Sequence, residues 1–330
     1  MSQPRFFRTL RMLCITVLAV TCAAAAQAQA YPARPVRIIV PATPAGPSDI
    51  MARALAGALT ESMGQSFIVE NKPGANGWIA YEYAAKAPPD GYTLVLAGTS
   101  QMAVQESLMS KVPYDTVRDF TFISNIGAAP SLLVVPPALP AQSLKELIAM
   151  AKASPGMLSY ANPSPGSANH LASELLNKLA GIDVMHIPYK GAAPAEIDLL
   201  GNRVTFMFHT LPASLPRVRS GQMRAIAVSS ATRSRFAPDV PTVAESGLPG
   251  FEVTTGFGLM GPQGLPREIT ERLNRETNKA LHNAAFKEKL ATLGIQEAPG
   301  TAADYMKAFR DEKAKWQKVV QDTGVKLDSN

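Results

Sequence analysis

From Val36 onward, short apolar runs rich in Val and Ile alternate with stretches whose apolar positions recur at helical spacing. Residues 36–41, 67–70 and 92–97 read as strands, with helices predicted over 50–59 and 78–87 between them. Uninterrupted apolar runs mark strands covered on both faces, and their alternation with helices implies a parallel sheet. The same rhythm resumes after Pro140. Residues 158–161, 184–188, 204–208 and 225–228 read as strands, and 143–153, 167–179 and 194–200 as helices, which predicts a second doubly wound sheet.

Two long extended stretches, 120–136 and 251–260, separate these rhythms. They predict a chain that leaves one domain, builds another and returns. Residues 31–131 and 253–330 then make domain 1, and residues 132–252 make domain 2. A chain of roughly 300 residues exceeds what one compact core usually holds, which favours the division. The return is helical over 268–282 and again from 301 to about 323. In the last helix Tyr305, Phe309, Trp316 and Val320 share a stripe of ordinary core character, Thr301 and Asp304 have capping-box spacing, and Gly324 closes the helix.

The first thirty residues have a different composition. Arg5, Arg8 and Arg11 precede the apolar run 13–26, no acidic residue intervenes, and Ala26, Ala28 and Ala30 follow at A-x-A spacing. That is the order of a secretory signal peptide, cut after Ala28 or Ala30. An apolar run of about 14 residues is shorter than the roughly 20 that span a bilayer. Both cysteines, Cys14 and Cys22, lie in this leader, so the mature chain has no thiol for disulfides, nucleophilic catalysis or metal binding. Losing three arginines lowers Lys+Arg from 32 to 29 against 26 Asp+Glu, and the net charge from +6 to +3. No basic cluster is interleaved with aromatics, which argues against nucleic acid as a partner.

Candidate chemistry lies in two turns. Pro44-Ala45-Gly46-Pro47-Ser48-Asp49 connects the first strand to its helix, where Ser48 or Asp49 is placed to cap and free N–H groups near Gly46 favour an anion. Asn162-Pro163-Ser164-Pro165-Gly166-Ser167-Ala168-Asn169-His170 repeats the arrangement in the second half. Facing each other across a cleft, the two turns would offer a carboxylate neutral donors from both sides; as separate features they are simply good helix caps. Tyr189 reads as a cleft residue and Lys190 as a solvated loop tip. A secreted hydrolase lacks support: there is no Gly-x-Ser-x-Gly elbow, and His170, His186, His209 and His282 show no zinc spacing.

The two turns, with Val69-Glu70-Asn71-Lys72-Pro73-Gly74-Ala75-Asn76-Gly77, Pro89-Asp90-Gly91-Tyr92, His186-Ile187-Pro188-Tyr189-Lys190-Gly191 and Pro238-Asp239-Val240-Pro241-Thr242, resemble the Bug family of extracytoplasmic solute receptors along the whole mature chain. The resemblance implies an α/β two-lobed periplasmic binding protein of type II (Venus-flytrap), each lobe a doubly wound, mainly parallel sheet. It implies a monomer that closes on a small organic acid and delivers it to the permease subunits of a tripartite tricarboxylate transporter, with no cofactor, metal or catalytic residue. A carboxylate-processing hydrolase or isomerase and a ligand-loaded partner of a sensor kinase are the alternatives. The carboxylate-binding turns map to Pro44, Ala45, Gly46, Ser48 and Asp49, and to Asn162, Ser164, Gly166, Ser167 and His170. Thr99, Ser100 and Gln101 resemble the side-chain pocket. Three positions depart from the pattern: Ala45 stands for a glycine, Ser164 for a glycine, and His209 for an acid that would pair with a ligand ammonium. The last departure predicts a preference for acids without an amino group.

Overall fold

A computed structural model describes residues 31–109, 111–163 and 167–323. The expected leader 1–30 with its expected cleavage sites, Ser164, Pro165 and Gly166 of the second turn, and Gly324 lie outside the described residues. The first elements are β1 (Val36–Val40), α1 (Pro47–Met63), β2 (Phe67–Asn71), α2 (Trp78–Ala85), β3 (Thr93–Gly98), α3 (Thr99–Leu108), α4 (Thr116–Asp119) and β4 (Phe120–Val135). Next come α5 (Leu144–Ala153), β5 (Ser159–Asn162), α6 (Ala168–Ala180), β6 (Met185–Pro188), α7 (Ala192–Leu200), β7 (Met207–Thr210), α8 (Leu211–Arg219) and β8 (Arg224–Val228). The chain ends with β9 (Thr254–Pro262), α9 (Arg267–His282), α10 (Ala284–Thr292), β10 (Gln296–Glu297) and α11 (Ala302–Thr323).

β1 runs parallel to β2 on one side and β3 on the other. Its apolar run, broken only by the exposed Arg37, follows from having a core on each face. Ile39 packs with Val95 and Ala97 under α2, whereas Val36, Ile38 and Val40 pack with Leu94 and Leu96 under Met51, Leu55 and Leu59 of α1. Each fully buried Ile or Leu adds roughly 2 kcal/mol of apolar transfer free energy. β5 and β6 form a separate two-stranded parallel sheet.

The long extended stretch 120–136 is one strand with two sets of partners. From Phe120 to Pro130, β4 pairs antiparallel with β9; from Ser131 to Val135 it pairs antiparallel with β7 and β8. Register shifts between Phe122 and Ser124, between Asn125 and Gly127, and between Leu133 and Val134 mark bulges, which bend a strand and increase its twist. β9 joins β3 to β4, so both crossings predicted from the sequence enter the sheet as neighbours.

α11 packs its predicted stripe inward: Tyr305, Phe309 and Trp316 are buried and Val320 packs against the same core. Its N-terminus is a reciprocal capping box, with the Thr301 N–H donating to Asp304 Oδ2 at 2.9 Å and the Asp304 N–H donating to Thr301 Oγ1 at 3.1 Å. Gly258 of β9 makes room for the helix, since a Cβ there would lie 2.1 Å from Tyr305 Oη. The segments after β8 and α10 also meet: Arg235 Nη1 donates to Glu297 Oε1 at 2.9 Å, and Gly294 packs against Pro212. The sequence pattern predicts no helix at α3, α4, α8 or α10. Among the described residues no helix is long and apolar enough to cross a membrane.

Candidate functional site

Four helices begin at one cleft of about 620 Å³. α1 enters it with Pro47 and Ser48, and α3 with Ser100 and Gln101 behind the N-cap Gly98. α6 contributes the N-cap Ser167 and Ala168, and α8 contributes the N-cap Thr210 with Pro212 and Ala213. The first N–H groups of a helix have no intrahelical acceptor, and each N-terminus acts as roughly half a positive charge. Ser131 and Thr255 add hydroxyls from the crossing strands. Among the described residues that line the cleft, none is ionisable. The site is therefore electropositive through backbone dipoles alone.

Local chemistry fixes each entry. The α1 N-cap is Gly46, with extended backbone (φ −78°, ψ 167°), rather than the Ser48 or Asp49 expected from sequence. Pro47 follows at the first helical position, where its missing N–H costs nothing. Asp49 reaches back instead. Its Oδ2 accepts the Ala45 N–H at 3.0 Å and Arg53 Nε at 2.9 Å, and its Oδ1 accepts Asn71 Nδ2 at 2.9 Å. The Arg53 bond, with help from the Ala45 amide and Asn71, holds the Asp49 carboxyl down at about 2. Ala45 takes a left-handed conformation, φ +65°, a region that favours glycine. In α6, Ser167 Oγ accepts the His170 N–H at 3.3 Å, and the Ser131 hydroxyl donates to Asn169 Oδ1 at 2.5 Å, tying the crossing strand to this helix start. In α3, Ser100 Oγ accepts the Gly256 N–H at 3.0 Å while the Gln101 side chain is exposed in the cleft.

Of the residues the sequence singled out, Ser48, Ser100, Gln101 and Ser167 line the cleft. Pro44, Ala45 and Gly46 shape the turn just ahead of the lining, and Asp49 is buried behind it. Other expected positions lie elsewhere. Thr99 turns to the opposite side, its hydroxyl 3.1 Å from Tyr305 Oη, beside a second cavity. Asn162 is buried, its Nδ2 2.8 Å from His186 Nε2 and its carbonyl accepting the Tyr189 N–H. The Tyr189 hydroxyl donates to Asp198 at 2.7 Å rather than into the cleft. His170 stacks on His186 with ring centroids 4.7 Å apart, and burial lowers its pKa to about 4. His209 is also corrected: its ring is buried with Nε2 2.9 Å from Glu196 Oε1, and Glu196 also holds Arg217 at 2.7 Å. Burial lowers the His209 pKa despite that carboxylate.

Thr210, not His209, faces the cleft. The α8 entry was missed, although Thr210 followed by Pro212 is a cap with proline in the first turn. Phe257, Leu293 and Ile295 were missed as well, and they meet only through the tertiary fold. Among the described residues no group of three or more His, Cys, Asp or Glu is arranged to hold a metal ion.

With this geometry in view, residues 51–325 match the model of the tripartite tricarboxylate transporter family receptor. The chain belongs to this receptor family. It is 41% identical over 321 residues to Protein BugT of Bordetella pertussis, covering 97% of this chain and 98% of that one. R. palustris Rpa4515, solved with adipate, superposes with a TM-score of 0.77 at 36% identity, over 90% of this chain and 99% of that chain. MatC from Rhodopseudomonas palustris, solved with bound malate, gives a TM-score of 0.71 at 30% identity, over 88% of this chain and 100% of that chain. This receptor shares their two-lobed substrate-binding fold.

Proposed function

We propose that this receptor is exported to the periplasm by cleavage after Ala28 or Ala30, binds a small organic acid between its lobes, and presents it as a monomer to the permease subunits of a tripartite transporter. Residues 31–131 with 253–330 form one lobe and 132–252 the other, consistent with the exchange of β4 partners at Pro130 and Ser131. The observation that carries the reading is the meeting of four helix N-termini in a cleft whose described lining has no ionisable side chain. An anion there meets N–H and hydroxyl donors without a fixed counter-ion. Micromolar affinity for a ligand of about ten heavy atoms requires roughly 0.8 kcal/mol per atom. Three or four charge-assisted bonds at about 1.5–3 kcal/mol each supply much of it. No catalytic residue or cofactor enters the scheme.

The test is mass spectrometry of protein taken from the periplasm under native conditions, followed by calorimetry with the acid it releases. An unmodified carboxylate that rebinds supports the proposal. Turnover of that acid, or failure of every carboxylate in a broad panel to bind, overturns it. Cross-linking in membranes identifies the permease; capture of a sensor kinase alone refutes the delivery step.

A further inference from the structure

The connection from α10 to β10 lies on the return to the first lobe yet touches the second at two points. Gly294 packs against the start of α8, where an added Cβ would lie 2.9 Å from Pro212 Cδ and 3.4 Å from Leu211 Cβ. Three residues further on, Glu297 meets Arg235 of the segment after β8. Arg235 Nη1 donates to Glu297 Oε1 at 2.9 Å, and Nη2 lies 2.7 Å from Oε2, so the contact has two points. Both partners are firmly seated. β10 pairs with β4 at Gly127 and Ala128, ahead of Pro130 and Ser131 where β4 changes partners, and the Gln296 carbonyl leaves no room for a Cβ on Gly127. Arg235 stands in a turn closed by the Ala237 N–H donating to the Ser234 carbonyl at 3.0 Å, with Ser234 and Ala237 buried. Its guanidinium carbon lies 4.8 Å from the Phe236 ring centroid.

Arg203–Asp198, Arg217–Glu196 and Arg233–Glu245 stay within 132–252, whereas Arg235–Glu297 leaves it. The Glu297 side chain is 14% exposed, and Arg235 holds its carboxyl below the ordinary range. The Arg235 side chain is 43% exposed, so water reaches the guanidinium once the pair parts. Lys287 of α10, with Nζ 3.8 Å from Glu297 Oε1, stays beside the carboxylate on the same lobe. Parting therefore strands neither charge, unlike the loss of one member of a fully buried pair. We propose that Arg235 and Glu297 form a reversible clasp between the lobes, which must part before the cleft opens and so slows release of the bound acid. The clasp rests on the two-lobed carboxylate reading above, but not on which acid is bound.

Release is measured by NMR exchange between free and bound acid, with adipate and malate, the acids in two related structures, as probes. Arg235→Gln and Glu297→Gln should each release them about fivefold faster, near the upper end for a partly exposed pair, without slowing association. The charge-reversed double variant, Arg235→Glu with Glu297→Arg, should recover most of the lost retention, a rescue that a merely structural role does not give. Raising NaCl from about 50 to about 500 mM should speed release from the parent and leave the Gln variants unchanged. A second measurement needs no ligand. Nitroxides on Glu61→Cys of α1 and Lys152→Cys of α5, both exposed, report the ratio of closed to open lobes by electron double resonance in the exported protein, since no cysteine follows Cys22. Each Gln variant should lower that ratio about fivefold. Unchanged release and unchanged lobe distances in both Gln variants overturn the clasp, as does a reversed pair that releases as fast as the single variants; either result leaves the carboxylate reading intact. If neither acid nor a broader panel binds, the carboxylate reading falls and the lobe distances alone decide the clasp.

Discussion

Replacing Asp49 by Ala should cost about 3 kcal/mol of stability and at least tenfold in ligand affinity. The carboxylate accepts the Ala45 amide, Asn71 Nδ2 and Arg53 Nε, all within 3.0 Å. Hydrogen bonds to an ionised acceptor contribute about 1.5–3 kcal/mol each. The Arg53 side chain is 55% exposed, so that pair belongs near the low end for surface ion pairs, about 0–1 kcal/mol. Two well-shielded bonds remain, and the desolvation relieved by removing the charge offsets part of them. Affinity suffers because the same bonds hold Ala45 left-handed and aim the first N–H groups of α1 into the cleft. The pH dependence has a definite sign. The folded carboxyl titrates at about 2, below its ordinary 3.8, so its stabilisation is complete above pH 3.8 and is lost as pH falls toward 2. Asp49→Asn keeps the shape and should remove this acid-sensitive component. Urea unfolding at pH 7 and pH 3, with calorimetry on the released ligand, measures all three effects. A stability of Asp49→Ala within about 0.5 kcal/mol of the parent at pH 7 would refute the reasoning.

Ala45→Gly relieves a left-handed alanine, worth about 1–2 kcal/mol, against about 0.5–1 kcal/mol of extra chain entropy in the unfolded state, so a net gain of roughly 0.5–1 kcal/mol is expected. A urea midpoint that falls at constant m-value contradicts it. His209→Asp puts a second buried carboxylate beside Glu196 and should cost about 2–4 kcal/mol, with succinate and aspartate discriminated as before. Improved aspartate binding in that variant would restore a ligand-facing role for the position. His170 refuses a proton in the folded state until about pH 4, whereas the unfolded chain takes one near 6.5, so stability should fall by about 1.4 kcal/mol per pH unit across that window. Denaturation series from pH 7 to 4.5 should show a shallower slope for His170→Gln; an unchanged slope assigns the acid sensitivity elsewhere.

Much of the fold was legible because its strands are short apolar runs, β1 and β3 covered on both faces and β2 and β6 more exposed. The runs 36–41, 67–70, 92–97 and 184–188 needed no partner to be read, and the stripe of α11 follows from i+4 and i+7 spacing alone. Two of the helices that escaped notice did so for separate reasons. α3 starts directly at the end of β3, with no intervening polar turn to punctuate it, and α8 contains both Pro212 and Pro216, which read as breakers. Yet Pro212 occupies the first turn, where a missing N–H is harmless. Both turns flanking the cleft were found because a proline-, glycine- and serine-rich segment between strand and helix is a local feature.

The position at the end of β7 was misjudged for a different reason. Side chains along a strand alternate between faces, so an uncertainty of one residue in where a strand ends exchanges its two faces. The sequence placed a strand over 204–208, and the family resemblance, with an acid expected at its end, put His209 in the cleft. In the structure β7 runs from Met207 to Thr210, His209 pairs with Leu132 inside the ladder, and its ring turns toward α7 and Glu196. Thr210 becomes the residue at the cleft. The exchange matters for chemistry: a titratable ring at that point would have made ligand preference depend on pH and counter-charge. A threonine hydroxyl leaves the described lining neutral, and Phe257, Leu293 and Ile295 complete an apolar wall beside it. Those three come from β9 and the α10–β10 connection, segments brought to the cleft only by the chain's return to the first sheet. No local pattern marks them as wall residues, because each is also a good core residue.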